Sequence, residues 1–224
     1  MKAARISGWA FVALFFGSLI WVGAYRFAPP PGTLVMLDRK LGGDVIIHPW
    51  TKIEDISPNL IYAVIAAEDS RFCLHNGIDF SAIDAALDER KRGGKQRGAS
   101  TISQQTAKNA FLWNGGGWAR KGAEAWFTIV METFWPKRRI MEVYLNVAEW
   151  GDGLFGAEAA AQARFGKSAK DLTKDEAALL AAVLPSPNKW RVDPPGPYVR
   201  GRASMLRKRM DRVRYDGLAS CVLK

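Results

Sequence analysis

Glu68 and Asp69 close the apolar run AVIAAEDSRFCLHNGIDF (63–80), and Arg71, His75 and Asp79 follow within one short loop. Ile61, Val64, Ile65 and Glu68 recur at three- and four-residue spacing, so the carboxylate continues the apolar stripe of a helix. Near that helix's C-terminus the backbone dipole disfavours negative charge. Burial and dipole both push a carboxylate pKa upward, which is how a general acid or base is tuned. The plainer alternative is a Glu68 that turns aside to pair with Arg71. Asp69 reads as a cap, Asp79 as the N-cap of the next helix, and His75 as a residue that hydrogen-bonds its loop in place.

Glu124 is the best second carboxylate. In RKGAE, Arg120 lies one turn before it, and Phe127, Thr128, Met131 and Trp135 share roughly its face. Glu124 is therefore either buried in a salt bridge with Arg120 or lining a cleft. Between the two acids, GASTISQQTAKN offers Gly98, Ser100, Thr101, Ser103, Gln104, Gln105, Lys108 and Asn109, many donors with a single charge. Such a stretch can hold hydroxyls, though a capped helix N-terminus looks the same.

The elements that must position these residues read mainly α. Ser57 can cap and Pro58 suits a first helical position, so a helix starts there. Helices are expected over 80–92, from Ser103, and over 118–135, the last apolar almost all round and hence buried. RRIMEVYLNVAEW, AEAAAQARF, DEAALLAAVL behind Thr173, and RASMLRKRMDRVR follow; Ala203, Leu206, Met210 and Val213 lie at helical spacing in the last. LVMLDRKLGGDVIIHPW (34–50) reads as a short hairpin turning at Gly42–Gly43, after a stiff APPPGT spacer. The division is an anchor (1–27), a linker with hairpin (28–56) and one α-helical domain (57–224).

The anchor reading rests on Ile6–Tyr25, which carries no charge and is bracketed by Lys2, Arg5 and Arg26. Its length suits a ~30 Å hydrocarbon layer better than a signal peptide's short apolar core. The 224 residues carry a net charge of +10, with clusters at Lys91, Arg92, Lys95 and Arg97 and along 200–214. For a chain anchored with its bulk outside the cytoplasm, anionic lipid or phosphorylated lipid substrates are expected partners, and nucleic acid is not. Cys73 and Cys221 have no metal-ligand spacing; they allow at most one disulfide, two isolated thiols are most often unpaired and partly buried, and the sequence leaves their pairing open.

Together these segments resemble the glycosyltransferase domain of glycosyltransferase family 51. EDxxFxxHxGxD is met by Glu68, Asp69, Phe72, His75, Gly77 and Asp79. GGSTITQQ with a following KN appears as GASTISQQTAKN, with Ala99 and Ser103 as small exchanges. RKxxE is Arg120, Lys121 and Glu124; KxxIxExYLN begins at Lys137; GxxGAEAAAQxxFGK runs from Gly153 to Lys167. The resemblance implies a lysozyme-like α fold with a minor β element behind one transmembrane helix, facing the periplasm from the inner membrane. It implies lipid II and the growing glycan chain as substrates, and cell-division or penicillin-binding proteins as partners. Glu68 would deprotonate the acceptor hydroxyl and Glu124 would assist near the donor pyrophosphate. Asp69, Phe72, His75, Ser100, Gln104, Gln105, Lys108, Asn109, Arg120, Lys121 and Lys137 would hold substrate. No cofactor is obligatory, although a divalent cation (Mg or Mn) could accompany the pyrophosphate. Phe111, Leu112, Trp113 and Trp118 are expected to form an apolar lip beside the lipid. The rival readings are a glycan-cleaving enzyme and a catalytically silent lipid II scaffold. Ser186 and Lys189 match S-x-x-K, but too few residues follow for a transpeptidase.

Overall fold

The computed structural model describes residues 2–94 and 98–223, the side chains of 2–8 and 11 excepted. Lys95 and Arg97 of the first basic cluster, and the side chains of Ile6–Gly8 and Phe11 in the apolar run, lie outside the described residues.

The core forms around α3 (Pro58–Glu68), capped by Ser57 and started by Pro58 as its sequence requires. Leu60, Ile61, Val64 and Ile65 are fully buried, each worth about 1.5–3 kcal/mol relative to exposure. Against it pack α9 (Lys174–Val183) and α10 (Pro197–Tyr215). The alanines of α9, buried at 177, 178, 181 and 182, let its neighbours approach closely. Ala203, Leu206, Met210 and Val213 form the buried face of α10, as their spacing predicts. On the other side, α5 (Ile102–Phe111) packs on α6 (Gly117–Phe134) and α7 (Lys137–Val147). Helices α4 (Phe80–Lys91), capped by Asp79, and α8 (Ala157–Phe165) complete the body.

The expected hairpin at 34–50 does not form. Thr33 caps a short helix, α2 (Leu34–Leu41), whose Val35 and Met36 are buried. Gly42 and Gly43 end that helix instead of turning a hairpin. The β element lies later: β1 (Glu149–Gly151) pairs antiparallel with β2 (Leu154–Phe155), and Ile47 adds one parallel bridge to Leu154. Gly153, at φ +70°, brings its Cα against the Val45 carbonyl, where a Cβ would stand 2.2 Å from the oxygen.

One open question is answered and one further expectation is corrected. Cys73 and Cys221, whose pairing the sequence leaves open, form a disulfide across a sequence separation of 148. α6 is buried on one face only: Phe127, Val130 and Met131 turn inward, while Trp118, Trp126, Ile129 and Phe134 are exposed.

Helix α1 (Lys2–Phe27) precedes all of these and lies against α6. Trp126 Nε1 donates to Ser18 Oγ at 3.1 Å and Trp135 Nε1 to the Val22 carbonyl at 2.9 Å. Among the described residues no helix is long and apolar enough to cross a membrane; the uncharged run 6–25 is only partly covered by them.

Candidate active site

Glu68 ends α3 and meets α5. Its Oε2 accepts a hydrogen bond from Gln105 Nε2 at 2.9 Å, and Arg202 Nη2 of α10 stands 4.0 Å from Oε1. Burial is the largest influence on Glu68 and holds its pKa above the ordinary carboxylate value; Gln105 and Arg202 pull it down, and Asp69 adds a smaller upward push. Arg71 is not its partner, because Arg71 pairs with Asp79 at 3.0 Å. A basic carboxylate held beside an amide is what a proton acceptor requires.

Asp69 serves as a cap across space. Its Oδ2 accepts from the Ile102 N–H at 3.0 Å, at the start of α5, and sits 3.0 Å from His75 Nε2. Asp69 and His75 are thus both buried in one contact that fixes α5 against the loop after α3. Gln104 is equally committed, closing a capping box with Thr101; Thr101 Oγ1 in turn donates to the Gly77 carbonyl at 2.5 Å. A Cβ at Gly77, whose φ is +89°, would meet Thr128 Cγ2 at 2.7 Å. The result is one face of α5 spent on structure and another, Gln105, Lys108 and Asn109, turned to a cavity of about 220 Å³ that Tyr144, Glu149 and Asn114 also line.

Glu124 is 3% exposed. One oxygen accepts from Arg120 Nη1 at 2.6 Å, and the other is paired with Lys121 Nζ. The salt-bridge alternative is therefore the one realised. Arg120 Nε also donates to the Gly115 carbonyl at 2.6 Å, tying the glycine-rich link to α6. Lys108 lies within the field of this group. Burial lowers its pKa first and Arg120 next, with Glu124 and Glu149 opposing and Lys121 adding to the depression. Among the described residues Lys108 has no ion pair, so its ammonium is free for an anion.

Ser100, exposed, lines a second cavity of about 140 Å³ with Glu68, Asp69, Arg71 and Gly98. Glu68 borders this cavity and its partner Gln105 borders the first, so their hydrogen bond stands between the two. Phe72 and Lys137 are placed elsewhere. Phe72 is fully buried, Lys137 Nζ lies 4.5 Å over its ring, and the ammonium pairs with Glu132 at 2.7 Å. Ser103 donates to the same Glu132 oxygen. Lys137 is in this way a strut between α7, α6 and α5. Of the expected apolar lip, Phe111 and Leu112 are core residues; Trp113 and Trp118 are exposed.

At Glu124 and at the Asp69–His75–Asp79 group the candidate ligand atoms are engaged by other protein groups, which disfavours a divalent cation at either place. Both Glu124 oxygens are taken by cationic side chains, which would repel a second cation. Asp69, His75 and Asp79 bring ligand atoms within 4.8 Å of one another, yet Asp69 serves Ile102 and His75, and Asp79 serves Arg71 and the Ala82 N–H.

Sequence reasoning missed two residues of this site. Tyr144 is buried beside Glu68 with its pKa raised, by burial first and then by the charges of Glu68 and Asp69. Arg202 was legible only as one member of a basic run.

The transglycosylase family model matches residues 40–211. A protein of Rhodospirillum centenum named biosynthetic peptidoglycan transglycosylase is 57% identical over 201 residues, covering 89% of this chain and 87% of that protein. Proteins of the same name from Caulobacter vibrioides and Pseudomonas aeruginosa are each 53% identical, over 95% and 86% of this chain and 93% and 86% of their own.

Proposed function

The chain belongs to the transglycosylase family, and from that premise we propose that it is a peptidoglycan glycosyltransferase that polymerises lipid II. Glu68 acts as general base. It takes the proton of the acceptor 4-hydroxyl as that oxygen attacks the donor's anomeric carbon from the face opposite the pyrophosphate. The C1–O bond to the pyrophosphate breaks, the configuration inverts, and a β-1,4 bond forms. The leaving group is a polyprenyl pyrophosphate whose terminal phosphate gains a further negative charge as the C1–O bond breaks, and it needs positive charge more than a proton. Lys108 supplies it, backed by Arg120 and Lys121, as cationic clamps do for transferring phosphates. Glu124 keeps those two cations in place.

One observation carries this reading. The Glu68–Gln105 hydrogen bond separates two polar cavities, one with a lysine that has no ion pair among the described residues. An acceptor on one side and a phosphorylated donor on the other would meet at the base. Any divalent cation would enter with the substrate's pyrophosphate, since the two cationic side chains on Glu124 disfavour another cation there.

The same reading places the catalytic body outside the cytoplasm, behind α1 as a single-pass inner-membrane anchor. It is supported by the uncharged run 6–25, by large apolar side chains exposed on α1 (Trp9, Leu14, Phe16, Ile20), and by the disulfide, which belongs in an oxidising compartment. Penicillin-binding proteins would then cross-link the product. The test is purified full-length protein in detergent with labelled lipid II, products separated on a gel and digested with lysozyme. Lysozyme-sensitive polymer is expected. Bound but unpolymerised lipid II would favour a scaffold, and breakdown of preformed glycan a hydrolase.

A further inference from the structure

The cavity that holds Lys108 has an acid in its wall. Glu149, on β1, lines it together with Lys108, Asn109 and Asn114, and its charge is one of those that Lys108 feels. A carboxylate in a cavity that receives phosphates opposes them unless its charge is offset.

The offset comes from outside the cavity. Arg39, near the end of α2, does not line it, yet its Nη2 stands 3.0 Å from Glu149 Oε1. Arg39 also meets Asp44 at 3.1 Å, and Asp152. Exposure separates the three acids: the side chain of Glu149 is 18% exposed, that of Asp44 31% and that of Asp152 76%. Water screens the Asp152 pair most and the Glu149 pair least, so Glu149 is the partner on which the guanidinium acts most strongly. Asn188 Nδ2 donates to the same Glu149 oxygen at 3.1 Å, and among the described residues the other oxygen receives no hydrogen bond. Asn188 belongs to 186–189, the S-x-x-K stretch that serves no transpeptidase, and Pro185 and Pro187 beside it line the same cavity.

The wall itself stands without Arg39. Val35 and Met36 of α2 are buried. After α2, the Ile47 N–H donates to the Gly153 carbonyl at 3.0 Å, and the Phe155 N–H to the Ile47 carbonyl at 2.9 Å. Removing the guanidinium therefore changes charge more than shape.

We propose that Arg39 is a positioning residue for the pyrophosphate-linked donor: with Asn188 it holds and neutralises Glu149, so that the wall of the Lys108 cavity does not repel the phosphates. This rests on the glycosyltransferase reading.

Full-length Arg39→Gln, Glu149→Gln and the double variant would be compared in detergent with labelled lipid II. Arg39→Gln is expected to raise KM roughly tenfold with little change in kcat, as an uncompensated like charge beside a bound anion does. Glu149→Gln is expected to lower KM, and adding Arg39→Gln to it should bring no further rise. Arg39→Lys keeps the charge and should recover most of the loss. Rising salt should shrink the gap between Arg39→Gln and the unmodified protein, since it screens repulsion and does not move a displaced wall. An Arg39→Gln effect of the same size with and without Glu149, or no effect at all, would overturn the proposal. Should Arg39→Gln fail to fold, Asn188→Ala reads the same charge from the other side. A KM rise that Glu149→Gln abolishes supports the proposal, and one that it leaves intact overturns it. The same proteins titrated with a fluorescent polyprenyl pyrophosphate without sugars give a Kd that does not depend on polymerisation. If none of them polymerised lipid II but Kd followed the pattern expected of KM, the glycosyltransferase reading would fail and the role of Arg39 would stand. Polymer from every variant, with KM and Kd unmoved, would leave the reading and remove the role.

Discussion

Gln105 donates to Glu68 at 2.9 Å across 37 positions of sequence, and among the described residues it is the one hydrogen bond the Glu68 carboxylate receives. The bond is made possible by a different pair, Asp69 and Ile102, whose contact fixes the start of α5 against the end of α3. Gln105 lies about one helical turn further along, on the face that looks back at Glu68.

Replacing Glu68 by Gln should lower polymerisation about 10²–10⁴-fold, the usual contribution of a general base, with donor binding retained. The same change should stabilise the protein. Burial raises the pKa of Glu68 above its unfolded value near 4.5, so the native state holds that proton more tightly than the unfolded state. The stability this provides is fully present below pH 4.5 and is lost as pH rises through the folded pKa. Above the folded pKa the buried, ionised carboxylate is a burden that Gln removes. Thermal melts at pH 7 and pH 4 should show a higher Tm for Glu68→Gln at the first and a smaller difference at the second. A lower Tm at pH 7 would mean that the surrounding dipoles, not burial, dominate.

Gln105→Leu tests the same carboxylate from the other side. Removing the amide takes away a contact that favours the charged form, so the Glu68 pKa rises further. A base works only when ionised, and the acidic limb of the rate profile should move to higher pH. Gln105→Glu would add a like charge and move it further still. An acidic limb that stays in place while kcat falls would make Gln105 a substrate contact and nothing more.

The sequence revealed these elements unevenly, for physical reasons. Helices with a cap and a continuous apolar stripe, such as 58–68 behind Ser57 and 197–215 with its Ala203–Leu206–Met210–Val213 face, state their own fold locally. α2 did not, because eight residues followed by two glycines fit a strand and turn as readily as a helix and its stop. Burial of Val35 and Met36 against the core decides it, and no local pattern carries that information. Glu68 and Glu124 were legible as carboxylates on apolar faces. That Phe72, Gln104 and Lys137 are used for packing and capping was not, since a motif records which residues stand together and not which way they turn.

Gly116 should tolerate no side chain. Its φ is +83°, and a Cβ there would stand 2.8 Å from the Arg120 Cβ. Gly116→Ala is expected to lose about 1–2 kcal/mol of stability from the left-handed backbone alone and to push Arg120 off Glu124, raising the KM for donor. Gly117 is the control. It also has positive φ, +56°, but nothing lies within 4 Å of its Cβ position, so Gly117→Ala should bring the backbone effect without the change in KM. Equal KM effects in both variants would separate the glycine link from Arg120.

The Cys73–Cys221 disulfide joins the short turn after Glu68 to the segment beyond α10. Closing a loop of that length removes chain entropy from the unfolded state worth about 5 kcal/mol, a large share of the ~5–15 kcal/mol that holds a domain together. Its position also matters to the site, because α10 carries the Arg202 guanidinium that stands 4.0 Å from Glu68. Reduction by dithiothreitol should lower the Tm sharply, and Cys73→Ser, Cys221→Ser and the double variant should fall together, since each removes the same bond. Well below the new Tm the polymerisation rate should remain while its pH profile moves, as Arg202 loosens and ceases to favour the ionised base. A Tm unaffected by reductant would mean that the two sulfurs are not bonded in the folded protein. A fall in Tm with no change in the pH profile would confine the disulfide to stability and leave Arg202 held by α10 alone.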